Sequence, residues 1–138
     1  MPQSYRRRFV SFFLLLAGAL GAAEVAKISP HDAAALVAAD KAVLVDVREP
    51  AEWAETGVVA NAVLLPKSDF DGPQKLWKEF LGHTGGKQII LYCRSGKRAG
   101  VIGAALAEQG RPVANAGGFK DWEAAGLPTR KLDNPAKP

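Results

Sequence analysis

The residues best suited to chemistry cluster around one cysteine. Cys93 is the only cysteine among 138 residues. It is followed by three cations, a serine and a glycine: Arg94, Ser95, Gly96, Lys97 and Arg98. Thiolate is the nucleophilic form of cysteine, and cations, backbone N–H groups and a helix N-terminus all stabilise it. A structural cysteine is the alternative, but it would need neither the cations nor the glycine. The pattern therefore predicts an anion-binding loop with Cys93 as nucleophile.

The neighbouring sequence predicts that this loop joins a buried strand to a helix. Residues 88–92 form a nearly continuous apolar run, typical of a strand covered on both faces. Residues 97–109 are rich in small and apolar side chains and are followed by Gly110, which is typical of a helix and its C-terminal glycine. We therefore expect Cys93 at the end of the strand, where loop N–H groups and the helix N-terminus face an anion.

The rest of the chain predicts further strands and helices in alternation. Further strands are predicted at 42–45, 62–66 and 113–116, and further helices at 30–39, 50–55, 73–81 and 119–125. Short connections between alternating elements indicate a single α/β domain with a small, mainly parallel sheet flanked by helices. In such sheets ligands bind beyond the carboxyl ends of the strands, where Cys93 is expected to lie.

The first 23 residues have the composition of a cleavable signal peptide. Arg6 to Arg8 precede the apolar run Phe9 to Leu20, and small residues stand before Glu24. This run is short for a hydrocarbon core of about 30 Å, so we expect no stable membrane anchor, a retained anchor being the alternative. The arginines fit either a twin-arginine or an ordinary basic signal. We predict a mature domain over 24–138 that is periplasmic or secreted.

The composition of the mature part argues against two classes of function. The whole chain carries 18 basic and 14 acidic residues. Without the three arginines of the predicted signal, the excess of positive charge falls to one. No basic stripe with interleaved aromatics occurs, so we expect no nucleic-acid partner. His31 has no second histidine or cysteine at ligand spacing, so we expect no metal site.

Three motifs follow one another along the chain. They are Leu44-Val45-Asp46-Val47-Arg48-Glu49-Pro50 with Glu52-Trp53, Leu91-Tyr92-Cys93-Arg94-Ser95-Gly96-Lys97-Arg98-Ala99, and Gly117-Gly118-Phe119-Lys120-Asp121-Trp122 with Ala125-Gly126-Leu127-Pro128. In this order and spacing the chain resembles the rhodanese family from about Ile28 to Thr129, in its single-domain, exported thiosulfate sulfurtransferase type. One stretch departs from the resemblance, because residues 57–62 read Gly-Val-Val-Ala-Asn-Ala where the family often has Gly-His-Ile-Pro-Gly-Ala.

The resemblance implies a two-step sulfur transfer that needs no cofactor. Cys93 would take a sulfane sulfur from thiosulfate or a related anionic donor and pass it to cyanide, a thiol or a sulfur-relay protein. Backbone amides from Arg94 to Arg98 would hold the persulfide, and their cationic side chains would attract the donor. The resemblance also places Asp46 and Arg48 in a supporting ion pair or hydrogen-bond network near the loop.

Three alternatives use the same cysteine differently. Related phosphatases, and arsenate reductases, bind a larger tetrahedral anion, and the phosphatases place five residues between cysteine and arginine. Four separate Cys93 from Arg98. A non-catalytic persulfide carrier would keep the same loop, so the sequence does not separate it from an enzyme. Disulfide exchange is a weaker alternative, because the chain has no second cysteine to resolve a mixed disulfide.

Overall fold

This computed structural model describes residues 25–133; the predicted signal peptide and the last residues of the tail lie outside that range. The strands are β1 (Ala26–Lys27), β2 (Ala42–Asp46), β3 (Val58–Val59), β4 (Val63–Leu64), β5 (Gln88–Cys93), β6 (Val113–Gly118) and β7 (Thr129–Arg130). The helices are α1 (Pro30–Ala38), α2 (Pro50–Thr56), α3 (Lys67–Asp71), α4 (Lys75–Leu81), α5 (Lys97–Glu108) and α6 (Phe119–Ala124). Within the described range, no helix is long and apolar enough to cross a membrane.

Five strands form one parallel sheet in the order β1-β6-β5-β2-β4. The two central strands, β2 and β5, pair from Ala42 with Gln88 to Asp46 with Tyr92. Both consist mostly of buried residues, as their apolar runs predict. The α/β fold with a mainly parallel sheet and flanking helices is therefore confirmed, and the carboxyl ends of β2 and β5 meet at one edge.

Alternation along the strands divides the core into two layers. Leu44 and Tyr92 belong to a cluster that includes residues of α1 and α6. Val45 and Cys93 belong to the other cluster, which includes residues of α4 and α5 and packs against α3. Because successive side chains of a strand point to opposite faces, the helices cover both faces of the sheet. Cys93 therefore faces the helical layer that contains α5.

Several element boundaries differ from the sequence-based predictions. The strand predicted at 62–66 is only β4, because Pro66 lacks an N–H group and begins α3 as its N-cap residue. The helix predicted from residue 73 begins at Lys75, since Gln74 adopts left-handed backbone angles. Its start is stabilised by Asp69, whose carboxylate accepts hydrogen bonds from three consecutive backbone N–H groups of α4 at 3.0–3.1 Å.

Three short strands were not predicted. Of these, β1 extends the sheet beside β6, whereas β3 and β7 form a separate antiparallel pair. Strand β3 lies in the stretch at 57–62 that departs from the rhodanese pattern, and β7 pairs with it from near the end of the domain. Gly57 begins this stretch with φ +81°, and a Cβ atom there would lie 2.6 Å from the Arg130 carbonyl oxygen. A two-residue strand gives no recognisable periodicity, so only the pairing reveals it.

Candidate active site

The predicted nucleophile is the last residue of β5, and three residues separate it from α5. The Cys93 side chain is fully buried, and the Gly96 N–H group donates a hydrogen bond to its sulfur at 3.0 Å. Gly96 is the N-cap residue of α5 and has φ +91°, a left-handed angle that favours glycine. The glycine thus directs a backbone donor, at the start of a twelve-residue helix, toward the sulfur.

The Gly117-Gly118 pair lets the cysteine loop, which joins β5 to α5, approach the end of β6 closely. A Cβ atom on Gly118 would lie 2.3 Å from the carbonyl oxygen of Arg94, and one on Gly96 would lie 3.2 Å from the Cα atom of Gly117. The first separation leaves no room for a side chain on Gly118, and the second is a tight contact. The Gly117-Gly118 pair, which the sequence places only at a turn, therefore also determines how near the cysteine loop packs to β6.

Asn115 connects β6 to the same loop, a contact that the sequence analysis did not predict. Its Nδ2 donates to the carbonyl oxygen of Gly96 at 2.8 Å, and its Oδ1 accepts from the N–H group of Gly117 at 2.9 Å. One side chain thus bridges the loop and the glycine turn. A lone asparagine in a strand is also compatible with a surface role, and its partners lie in another segment, so only the structure identifies this bridge.

Arg98 forms an ion pair with Glu52. Its two terminal nitrogens donate to the two carboxylate oxygens of Glu52 at 2.7 and 2.8 Å, which makes a bidentate pair. The Glu52 hydrogen bond is the main cause that raises the pKa of Arg98, and the neighbouring Cys93 raises it further. The hydrogen bond from Arg98, supported by the Glu49 N–H group, lowers the pKa of Glu52 to about 2.

Asp46 and Arg48 form a buried ion pair beyond the end of β2. The Arg48 guanidinium lies 2.7 Å from the Asp46 carboxylate and also donates to the Thr56 hydroxyl and the Gly57 carbonyl oxygen. Its carbon lies 4.5 Å from the ring centre of Phe119, a cation–π contact. Arg48 therefore connects the end of β2 to the C-terminal end of α2 through hydrogen bonds, and to the first residue of α6 through the cation–π contact.

The remaining predicted site residues are exposed at the rim of the loop. Arg94, Ser95 and Lys97 are exposed, and Arg94 lines a solvent-open cleft of about 290 Å³. The cleft has both signs of charge on its walls, which consist of Arg48, Glu52, Glu55, Thr56, Arg94, Phe119, Lys120 and Glu123. Ser95 and Lys97 line a second groove, which Asn115 also lines. The cysteine loop thus contributes residues to two surface depressions.

The arrangement suits nucleophilic chemistry with an anionic intermediate. It provides a sulfur nucleophile, a backbone donor aimed at that sulfur, and an arginine beside it. Among residues 25–133 there is no group of three or more histidine, cysteine or carboxylate residues that could hold a metal ion.

The parallel α/β sheet and the cysteine-containing loop at its carboxyl end define the class of protein. Comparison with known proteins identifies the family. The model of the rhodanese-like domain matches residues 29–125. The chain belongs to the rhodanese family. Its curated relatives include an uncharacterized protein of Synechocystis sp., 35% identical over 109 residues, which make up 78% of this chain and 57% of that protein. The chain thus spans little more than half the length of this relative.

Solved structures with the same fold come from several functional classes. A Wolinella succinogenes polysulfide-sulfur transferase homodimer is 26% identical, with a TM-score of 0.62 over 79% of this chain and 80% of that chain. A Rhodopseudomonas palustris protein of unknown function, described as a possible tyrosine phosphatase, is 27% identical, with a TM-score of 0.65 over 77% and 85%. The structural neighbours of this domain thus include a polysulfide-sulfur transferase and a protein of unknown function.

Proposed function

We propose that this protein is a sulfurtransferase that carries a sulfane sulfur as a persulfide on Cys93. The observation that carries the proposal is the 3.0 Å hydrogen bond from the Gly96 N–H group to the Cys93 sulfur at the N-terminus of α5. A donor in this position stabilises negative charge on the thiolate and on the persulfide that replaces it. Membership of the rhodanese family and the likeness to the Wolinella protein support the same chemistry.

The reaction divides into two displacements at sulfur. In the first, the Cys93 thiolate attacks the outer sulfur of thiosulfate, a new S–S bond forms, and sulfite leaves with the electron pair of the broken bond. In the second, cyanide or a thiolate attacks the outer sulfur of the persulfide, and Cys93 leaves as the thiolate. The two steps regenerate the enzyme without an external oxidant or reductant, and covalent storage gives ping-pong kinetics.

An anionic donor of the thiosulfate type fits the charges at the rim of the loop. Arg94 and Lys97 are exposed near the buried Cys93 in the sequence, and neither forms an ion pair with another residue of the described range. Both are available to attract a small anion from solution. Polysulfide and protein persulfides carry the same reactive group, and direct comparison of their rates would identify the preferred donor.

We further propose that the domain acts after export. The basic and apolar residues of the first 23 positions support cleavage before Glu24, which leaves the domain over 24–138 in the periplasm or outside the cell. Expression of the full chain and intact mass of the protein recovered outside the cytoplasm would test this. A chain that keeps its N-terminus in the cytoplasmic fraction would contradict it.

Mass spectrometry of the intact protein tests the persulfide. After exposure to thiosulfate, we expect a mass gain of one sulfur, about 32 Da, that cyanide removes with formation of thiocyanate. Cys93→Ser provides the control and gains nothing. A thiosulfate-treated wild type without added mass would contradict the thiosulfate reaction. Loading from a protein persulfide would then favour the carrier, and hydrolysis of a phosphate ester that needs Cys93 would favour the phosphatase.

A further inference from the structure

The side chain of Asn115 uses both of its polar atoms on backbone groups near the sulfur. The amide nitrogen donates to the carbonyl oxygen of Gly96, and the amide oxygen accepts from the N–H group of Gly117. Asn115 lies in β6, where its backbone pairs with Leu91 of β5. It is thus fixed to the central sheet two residues before Cys93 in the neighbouring strand, and it reaches the loop from a rigid base.

Gly96 is the residue whose orientation decides whether the sulfur receives a hydrogen bond. Its N–H group points to the Cys93 sulfur, and its carbonyl oxygen accepts from the Gly100 N–H group of α5 as well as from Asn115. Glycine has a wide range of accessible backbone angles, so φ +91° is not fixed by its own chemistry. A second contact on the carbonyl restricts the rotation that would turn the N–H group away.

We propose that Asn115 is a positioning residue that holds Gly96 so that its N–H group stabilises the thiolate and the persulfide of Cys93. The role rests on the proposed function, because it concerns the reactivity of the same sulfur. Asparagine is a poor strand former and its side chain adds no apolar burial here, so the strand itself does not require it. What it supplies is two hydrogen bonds at the edge of the cysteine loop.

Other charged groups near the loop remain in place when Asn115 changes. They are Arg94 and Lys97 of the loop and helix start, Arg98 with its partner Glu52, and Asp121, which accepts from the Gly118 N–H group. A substitution of the neutral Asn115 by another neutral residue therefore leaves the formal charge around the sulfur unchanged. A change in thiolate reactivity then reports on the orientation of the loop.

Alkylation of the only cysteine by iodoacetamide, measured by mass across pH, tests the proposal. Asn115→Leu has a similar size and removes both hydrogen bonds. We expect its alkylation rate at neutral pH to fall about tenfold, the low end for loss of a hydrogen bond to a charged group. We also expect the pH of half-maximal rate to rise. Asn61→Leu, at an exposed asparagine away from the loop, provides the matched control and should match wild type.

A second variant keeps the test valid if the first one does not fold. Asn115→Ala is smaller than asparagine, removes both hydrogen bonds and, like the leucine variant, leaves the formal charge around the sulfur unchanged. Its pH profile should shift in the same direction. Thermal unfolding establishes which variants are folded. A folded Asn115→Leu or Asn115→Ala protein with the wild-type pH profile would overturn the proposed role.

The experiment also separates this role from the proposed sulfur transfer. Alkylation measures the thiolate and requires no persulfide. If wild-type protein never gains sulfur but Asn115→Leu still shifts the alkylation profile, sulfur transfer fails and the positioning role stands. If wild-type protein gains sulfur and the Asn115 variants alkylate and load as wild type does, the positioning role alone fails.

Discussion

Replacing Gly118 by alanine tests whether close packing of β6 sets the position of the cysteine loop. Gly118 has φ −109°, which alanine adopts without strain, so the new methyl group is the only perturbation. That group would lie 2.3 Å from the Arg94 carbonyl oxygen and 3.1 Å from its carbon, both backbone atoms. Contacts below 3.0 Å are essentially never tolerated, so the two segments must separate by at least about 0.7 Å.

The size of the effect follows from this displacement. Overpacking of a close-packed site costs about 1–3 kcal/mol of folding free energy, because backbone atoms have no alternative rotamer to adopt. The Arg94 peptide directly follows Cys93, so the movement also shifts the loop that holds the sulfur. A misplacement on the order of 1 Å reduces catalysis about a hundredfold. We therefore expect Gly118→Ala to lose both stability and most of its sulfur loading.

Urea unfolding and the rate of persulfide formation by mass would measure the two effects. Gly86→Ala is the matched control, because Gly86 is exposed and a Cβ atom there would meet nothing within 4 Å. Alanine restricts the unfolded chain, so the control should be at least as stable as wild type and should load sulfur at the wild-type rate. A Gly118→Ala protein as stable as wild type, with the wild-type loading rate, would refute the packing argument.

The other predictions concern three carboxylates and their partners. Arg48→Met leaves the Asp46 carboxylate buried without its partner, so the free energy of unfolding should fall by about 3–5 kcal/mol in urea titration; an unchanged midpoint would contradict this. Glu52→Gln should lower stability by about 1 kcal/mol near pH 6, after allowance for solvent screening of a partly exposed pair. The pKa of Glu52 is lowered from about 4.5 to about 2 in the folded protein. The difference in free energy of unfolding between wild type and variant should therefore be full above pH 4.5 and vanish as the pH falls through 2. A difference in unfolding free energy that does not change with pH would refute this. Asp69→Ala should cost about 1–2 kcal/mol through the lost cap of α4 while alkylation of the distant cysteine stays unchanged.

The main elements were predictable because their signals are local. The strands β2 and β5 are apolar runs that need cover on both faces, and the chain between them is long enough for helices on those faces. A proline after Ser29 predicts the start of α1, where the Ser29 hydroxyl accepts from the Asp32 N–H group. These features depend on residues within a few positions of one another, so one sequence is enough to recognise them.

The contacts that shape the site were not predictable because they join distant segments. Arg98 and Glu52 are separated by 46 positions, and Asn115 is 19 positions from Gly96. Neither pairing leaves a periodic signal in the sequence. Apolar residue type also does not predict burial here. Val101 is one of the apolar residues that predict α5, yet it is 55% exposed. The sequence predicts the helix, but not which of its apolar residues enter the core.

The structure places the three cations of the cysteine loop in two electrostatic environments. From the sequence, all three are equal candidates to attract an anionic donor. In the fold, Arg98 is balanced by Glu52, so its charge is largely compensated at long range, while its guanidinium still lies beside the sulfur. Arg94 and Lys97 are exposed and supply the uncompensated charge of the loop itself. Under the proposed sulfur transfer, the paired arginine would stabilise charge that develops at the sulfur, and Arg94 and Lys97 would attract the donor. Salt should therefore slow capture of the donor more than the chemical step at Cys93.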